Sequence, residues 1–186
     1  MNTLPKHKMT VDEYLAWAEG RPGRGELYAG SVYAIEPAGV GHAETKFAIQ
    51  TALLAGIRQA ALPCHMLPDG MTVRIDEHTA HEPHALVYCG RELPNDALEA
   101  PNPIIVVEVL SPSTRHIDAS AKLAGYFRVP SLQHYLIVDP DQRFVIHHAR
   151  GERDMIATRI VRDGALRLDP PGIEIAAADI FPASPD

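Results

Sequence analysis

The chain has 186 residues, 46% of them hydrophobic and 22% charged, with a formal net charge of −7. Such a balance predicts one globular domain spanning 1–186 with a substantial core, and it argues against a broad basic surface for nucleic acid, because phosphate neutralisation supplies most non-specific affinity. A local basic groove, or carboxylates gathered around a divalent cation, remains compatible with it.

No apolar run reaches membrane-spanning length, and residues 1–10 lack the apolar stretch of a signal peptide. A cytoplasmic chain with no membrane partner is expected. Cys64 and Cys89 match no metal-ligand spacing and are expected to be reduced thiols.

Residues 9–17 open a helix, with Thr10 as N-cap and Glu13 completing a capping box, and with Val11, Tyr14, Leu15 and Ala18 as its apolar stripe. Residues 26–35 read as a hairpin turning at Gly30-Ser31. After a loop at 37–41, His42 starts a helix to about residue 60. Its expected buried side is Phe47, Ile49, Leu53, Leu54 and Ile57. Two short strands flank Pro68-Asp69-Gly70, residues 76–82 form a polar loop, and a strand at 83–88 begins with a proline.

Residues 103–140 form the organising unit. Residues 104–110 are β-branched and apolar on both faces, which predicts a strand covered on both sides. Glu108 lies inside it, and a buried carboxylate must be protonated, paired or bound to a cation. Residues 111–114 turn the chain, and Ser113 or Thr114 is available to cap a helix over 115–128. Pro130 stops that helix, and 132–138 is a second apolar strand. On the helix, Asp118, Lys122 and Tyr126 share a face, so Lys122 can point back toward Glu108. Asp118 with Lys122 as a solvated surface pair is the plain alternative. Downstream, 144–148, 155–161 and 165–168 predict an antiparallel meander at the sheet's edge, and 173–181 a short tail. The order of elements is that of an α/β (α+β) fold with a mixed central sheet flanked by helices.

The strands at 83–88 and 104–110 are joined by one loop and are expected to be neighbours. They carry His84 and Glu108. With Lys122 and the upstream Glu26, these residues make a constellation for metal-assisted hydrolysis, in which a cation neutralises phosphate charge and Lys122 orients water or stabilises the transition state. A competing constellation is His78, His81 and His84, three apart, although Pro83 disfavours the helix that would align them. His42 and His116 read as surface residues. Ser111 and Ser113 offer hydroxyls for an anion or for simple capping.

The segments E-L-Y-A-G, G-H-A-E, E-P-H-A-L-V-Y, V-V-E-V-L-S-P-S-T, D-x-x-x-K-L-x-x-Y and H-Y-L-I-V-D-P occur in that order over nearly the whole chain. Together they resemble the Uma family, within the PD-(D/E)xK restriction-endonuclease-like superfamily. The resemblance implies a restriction-endonuclease-like core that cuts DNA with a divalent metal, Mg2+ or Mn2+. Carried over, Glu108 is a metal carboxylate, Lys122 the catalytic lysine and Glu26 an auxiliary acid. Where the family has Pro-Asp this chain has Pro83-His84. A histidine ligates transition metals well and magnesium poorly. Two outcomes follow: a site with Glu108 and His84 as ligands of a transition metal, or a degenerate nuclease fold that binds nucleic acid or a protein without cutting. A His-rich metal hydrolase of another substrate is the third alternative. By analogy with endonucleases that cut two strands, a homodimer is expected.

Overall fold

Alternation along the strands decides which side of the main sheet each residue faces. The computed structural model describes residues 7–181 except 36, 38, 112–118 and 154. Its first half runs α1 (Val11–Ala18), β1 (Gly25–Tyr28), β2 (Ser31–Ala34), α2 (Val40–Gln59), β3 (Cys64–Pro68), β4 (Val73–Asp76), β5 (Thr79–His81) and β6 (Ala85–Cys89). The second half runs β7 (Pro103–Val109), α3 (Ala119–Tyr126), β8 (His134–Asp139), β9 (Phe144–Arg150), β10 (Ile156–Val161), β11 (Ala165–Leu168), β12 (Ile173–Ala176) and α4 (Ala177–Ile180).

A six-stranded sheet in the order β10-β9-β8-β7-β6-β3 forms the centre. β7 and β8 are parallel, and the other pairings are antiparallel, with β6 and β7 adjacent as expected. On one side Ile105, Val107, Val109, Leu136 and Val138 pack with Ile49, Leu53 and Ile57 of α2 and with Ile173 and Ile175 of β12. On the other, Val106, Tyr135 and Ile137 pack with Tyr126, Val129 and Leu132. By parity Glu108 faces this second side, the side of α3.

A four-stranded antiparallel sheet, β2-β1-β5-β4, flanks the centre. Leu27 and Ala80 on one of its faces bury against Val11 and Tyr14 of α1, with Val32 packed beside them. The Thr10–Glu13 capping box is present in both directions, at 3.2 and 2.8 Å.

Several expectations change. The hairpin turns at Ala29-Gly30, with φ of 48° and 79°, and Ser31 already belongs to β2. Two left-handed residues suit the twist of a two-residue hairpin loop. The strands around Pro68-Asp69-Gly70 separate into different sheets, and the polar loop at 76–82 contains β5, all three residues of which are buried between β1 and β4. Phe47 is 71% exposed, because α2 turns His42, Thr45, Ile49, Ala52, Leu53, Gly56 and Ile57 inward instead. At Gly56 a Cβ would meet Ile173 Cγ2 at 2.6 Å, so glycine is what lets β12 approach the helix. The meander ends at β10; β11 leaves it to pair with β12, and the expected tail is therefore part of the core. Cys64 and Cys89 are not free thiols: they face each other across β3 and β6 and form a disulfide. Their separation of 25 residues gave no sign of that register. The start of the 115–128 helix, with its caps and Asp118, lies outside the described residues, as does His116.

Arg159 Nε donates to His147 Nδ1 (3.0 Å), His147 lies 2.9 Å from His134 Nδ1 through Nε2, and His134 Nε2 lies 2.9 Å from the Pro170 carbonyl. One end can only donate and the other only accept, so both imidazoles must be neutral, each with its proton on Nε2. Burial pushes His147 down to about 3, with His134 and Arg159 adding to the shift, and burial also lowers His134 and His148. Above pH 6.5 these groups are neutral folded or unfolded. Below it the unfolded chain takes up protons that the folded chain refuses, so stability falls with pH. Between pH 7.5 and pH 5 we expect a loss of about 2 kcal/mol from these histidines after allowing for solvent screening. Urea midpoints followed by Trp17 fluorescence check this; a midpoint that rises on acidification would contradict it.

Candidate active site

Glu108 comes to the C-terminal end of β7 because the β-branched run around it is held as a central strand. Its side chain is 9% exposed. Oε1 accepts from Lys122 Nζ at 2.8 Å and from the Tyr126 hydroxyl at 2.9 Å. Oε2 lies 2.9 Å from His84 Nδ1. The spacing of four on α3 therefore does what the sequence predicts: Lys122 and Tyr126 both reach back over the strand end.

Lys122 Nζ also donates to Glu26 Oε1 at 2.8 Å, and the same oxygen accepts from the Glu82 backbone N–H at 3.0 Å. One ammonium thus joins a carboxylate of the central sheet to one of the flanking sheet. His84 lies in a bend just before β6, its backbone N–H donating to the Val107 carbonyl at 2.9 Å. All four predicted residues, Glu26, His84, Glu108 and Lys122, lie in one polar cluster.

Burial opposes ionisation of Glu108, but Lys122 and His84 together outweigh it and hold the carboxyl well below the ordinary carboxylate range. Burial likewise opposes the charge on Lys122, and the two carboxylates outweigh it, so its pKa lies above the ordinary lysine value. Glu26 is lowered because His81 and Lys122 outweigh its burial. Tyr126 is pushed up by burial and by the charges of Glu108 and Glu26. The cluster is therefore ionic at neutral pH, and Lys122 acts as a donor and a fixed positive charge, not as a base.

Three participants were not placed in this cluster by the sequence reading, His81 having been read only as part of the histidine constellation. Tyr126 was visible only as a neighbour on the Lys122 face. His42 is buried, not on the surface; its Nε2 lies 3.0 Å from the Val109 carbonyl and its ring 4.9 Å from that of His84. His81 is 3% exposed, with Nδ1 3.7 Å from Glu26 Oε2, and neither ring nitrogen has a hydrogen-bond partner among the described residues. The three-histidine constellation does not converge: His78 Nδ1 meets the Met9 carbonyl, His81 meets Glu26 and His84 meets Glu108. Among the described residues, no three His, Cys, Asp or Glu side chains group as a ready metal cage. Of the anion cradle, Ser111 is buried and Ser113 lies outside the described residues.

A family model described as "Putative restriction endonuclease" matches residues 11–178. The chain belongs to the Uma2 family. Two uncharacterized proteins of Synechocystis sp. are similar along their length. One, slr1290, is 25% identical over 96% of this chain and 94% of its own; the other, sll1609, is 26% identical over 84% and 90%. A crystal structure described as a putative nuclease belonging to DUF820, from Anabaena variabilis, matches with a TM-score of 0.73 at 15% identity. It covers 93% of this chain and 97% of that one. At that identity the likeness is one of fold, and it bears out the mixed sheet with flanking helices. The Uma2 match supports a nuclease. Among the described residues no helix is long and apolar enough to cross a membrane.

Proposed function

We propose that this Uma2 chain is an endonuclease that hydrolyses DNA phosphodiesters with the help of a divalent metal at Glu108. The observation that carries the reading is a buried, ionised carboxylate at the end of a central strand, with an ammonium on one oxygen and an imidazole on the other.

The donors fit a nitrogen-accepting divalent ion, Mn2+ or a transition metal, better than Mg2+. The Val109 backbone N–H donates to His84 Nδ1 at 3.1 Å, which makes that nitrogen an acceptor, yet it faces the acceptor Oε2 of Glu108 at 2.9 Å. Two acceptors so close call for a cation. A proton on Nδ1 serves Oε2 only by giving up the Val109 bond. Glu108 and His84 would hold the metal, with water and substrate as further ligands. When bound, such an ion neutralises phosphate charge and makes a bound water more acidic. Lys122 donates to the charge that develops on the phosphate, Glu26 holds Lys122 in place, and the Tyr126 hydroxyl fixes the Glu108 carboxylate.

Supercoiled plasmid nicking tests the reading. The natural chain is expected to nick with Mn2+ more than with Mg2+, and Glu108→Gln to lose about 100-fold or more. Equal nicking by both proteins would overturn it. The reading takes the cutting unit to be a homodimer, supported by Met155 and Ile160 at the exposed β10 edge, 64% and 62% accessible; light scattering on the same sample should give twice the chain mass. One observation favours a second reading, a nuclease fold that binds DNA without cutting: Lys122 and Tyr126 already occupy one oxygen of Glu108. DNA binding without nicking under any metal would select it.

A further inference from the structure

Strand register puts two exposed tyrosines on the same face as Glu26. Glu26 pairs directly with Tyr33 across the β1–β2 hairpin, and Tyr28 is two residues along from Glu26. Directly opposed residues, and residues two apart, share a face. The other face, with Leu27 and Val32, is packed on α1. Tyr28 is 45% and Tyr33 56% accessible, and their rings stand edge to face with centroids 6.4 Å apart. Opposed Cβ atoms lie about 5 Å apart, so Tyr33 rises beside the acid that contacts Lys122.

We infer that Tyr28 and Tyr33 form a base-stacking platform at the candidate active site, and that the preferred substrate is single-stranded or locally unpaired DNA. This rests on the nuclease reading and adds the form of nucleic acid to it.

Charge points the same way. Among the described residues, three cations at the cluster are already neutralised: Arg24 by Asp69 and Glu82, Lys46 by Asp69, and Lys122 by Glu26 and Glu108. The net charge is −7. Duplex affinity grows with the number of phosphates neutralised, and this neighbourhood has few charges to spare. Stacking on an aromatic ring needs no charge, but it needs a base outside the duplex. Two accessible phenol rings beside an acid of the site provide that surface.

The test is fluorescence anisotropy with a labelled single-stranded oligonucleotide, its abasic counterpart and the matching duplex, without added metal. The natural chain should bind the single strand more tightly than the duplex. Tyr28→Ala/Tyr33→Ala should lose about 10-fold or more on the single strand, while Tyr28→Phe/Tyr33→Phe stays within about threefold, because stacking needs the ring and not the hydroxyl. Removing the bases should weaken the natural chain and the phenylalanine pair but not the alanine pair. Circular dichroism confirms that each variant is folded; if the alanine pair is not, the abasic comparison on the natural chain decides. Single-strand affinity unchanged by the alanines or by base removal, with DNA still bound, overturns the platform and leaves the nuclease reading standing. Neither binding nor cleavage of any DNA by the natural chain overturns both. A dimer that the alanine pair converts to monomer, with DNA binding unaltered, makes the face a protein interface instead and also overturns the platform.

Discussion

Replacing Lys122 with methionine should lower stability by about 3 kcal/mol at pH 7, with the deficit shrinking as the solution is acidified. Methionine keeps the apolar stem and removes the ammonium that lies 2.8 Å from both Glu26 and Glu108. Two largely buried carboxylates then face each other without a counter-charge. In the natural chain Glu108 has a depressed pKa, so its contribution is present above the unfolded value near 4.3 and is lost as pH falls below it. In the variant, burial and repulsion raise the folded pKa values above 4.3. Its penalty is then greatest at neutral pH and is relieved as the folded chain takes up a proton. The two effects close the gap between about pH 6 and pH 4. Urea unfolding of both proteins at pH 7 and pH 5 measures it, and a gap independent of pH would mean that charge at Lys122 is not what the site depends on.

His84→Asp should do the reverse of a loss: it should create a dependence on magnesium. The new carboxylate would sit opposite Glu108, where His84 Nδ1 now lies 2.9 Å from Oε2. Without metal, like charges are forced together and the melting temperature should drop. Two carboxylates suit a hard cation better than one carboxylate and an imidazole, so Mg2+ should restore the loss. A ligand at 100 times its Kd stabilises by about 2.7 kcal/mol, several degrees for a chain of this size. The natural chain should show little shift with Mg2+ and more with Mn2+. Mg2+-dependent nicking by the variant should rise above that of the natural chain. Equal Mg2+-induced melting shifts in the two proteins would show that position 84 does not face the metal.

What could be read from the sequence divides along physical lines. Glu108 stood out because a charge inside a β-branched strand demands a partner, and Lys122 because helical spacing places it one strand end away. The parallel pairing of β7 and β8 follows from strand, helix, strand. Phe47 misled because the inward stripe of α2 is carried partly by His42, Thr45 and Gly56, which hydrophobicity does not flag. β5 is three residues long and polar at both ends, and only its place between β1 and β4 makes it a strand. His42 and His81 are buried by contacts from distant segments, and the Cys64–Cys89 bond depends on a register that spacing does not encode.

Helix α2 has a further consequence, which concerns rotational phase. Along its 20 residues, His42 meets the Val109 carbonyl, Lys46 meets Asp69, Gln50 Nε2 donates to the His84 carbonyl, and Gly56 receives β12. These contacts engage both ends of a rod about 30 Å long. Each residue of an α-helix turns its neighbour by about 100°. A single insertion between 42 and 56 would therefore keep every side chain yet swing the His42 end a quarter-turn or more out of line with the Gly56 end. Seven residues would nearly restore the angle, leaving about 20° of error, but would drive the two ends about 10 Å farther apart. Side chains on its exposed side can vary freely; the length of the helix cannot.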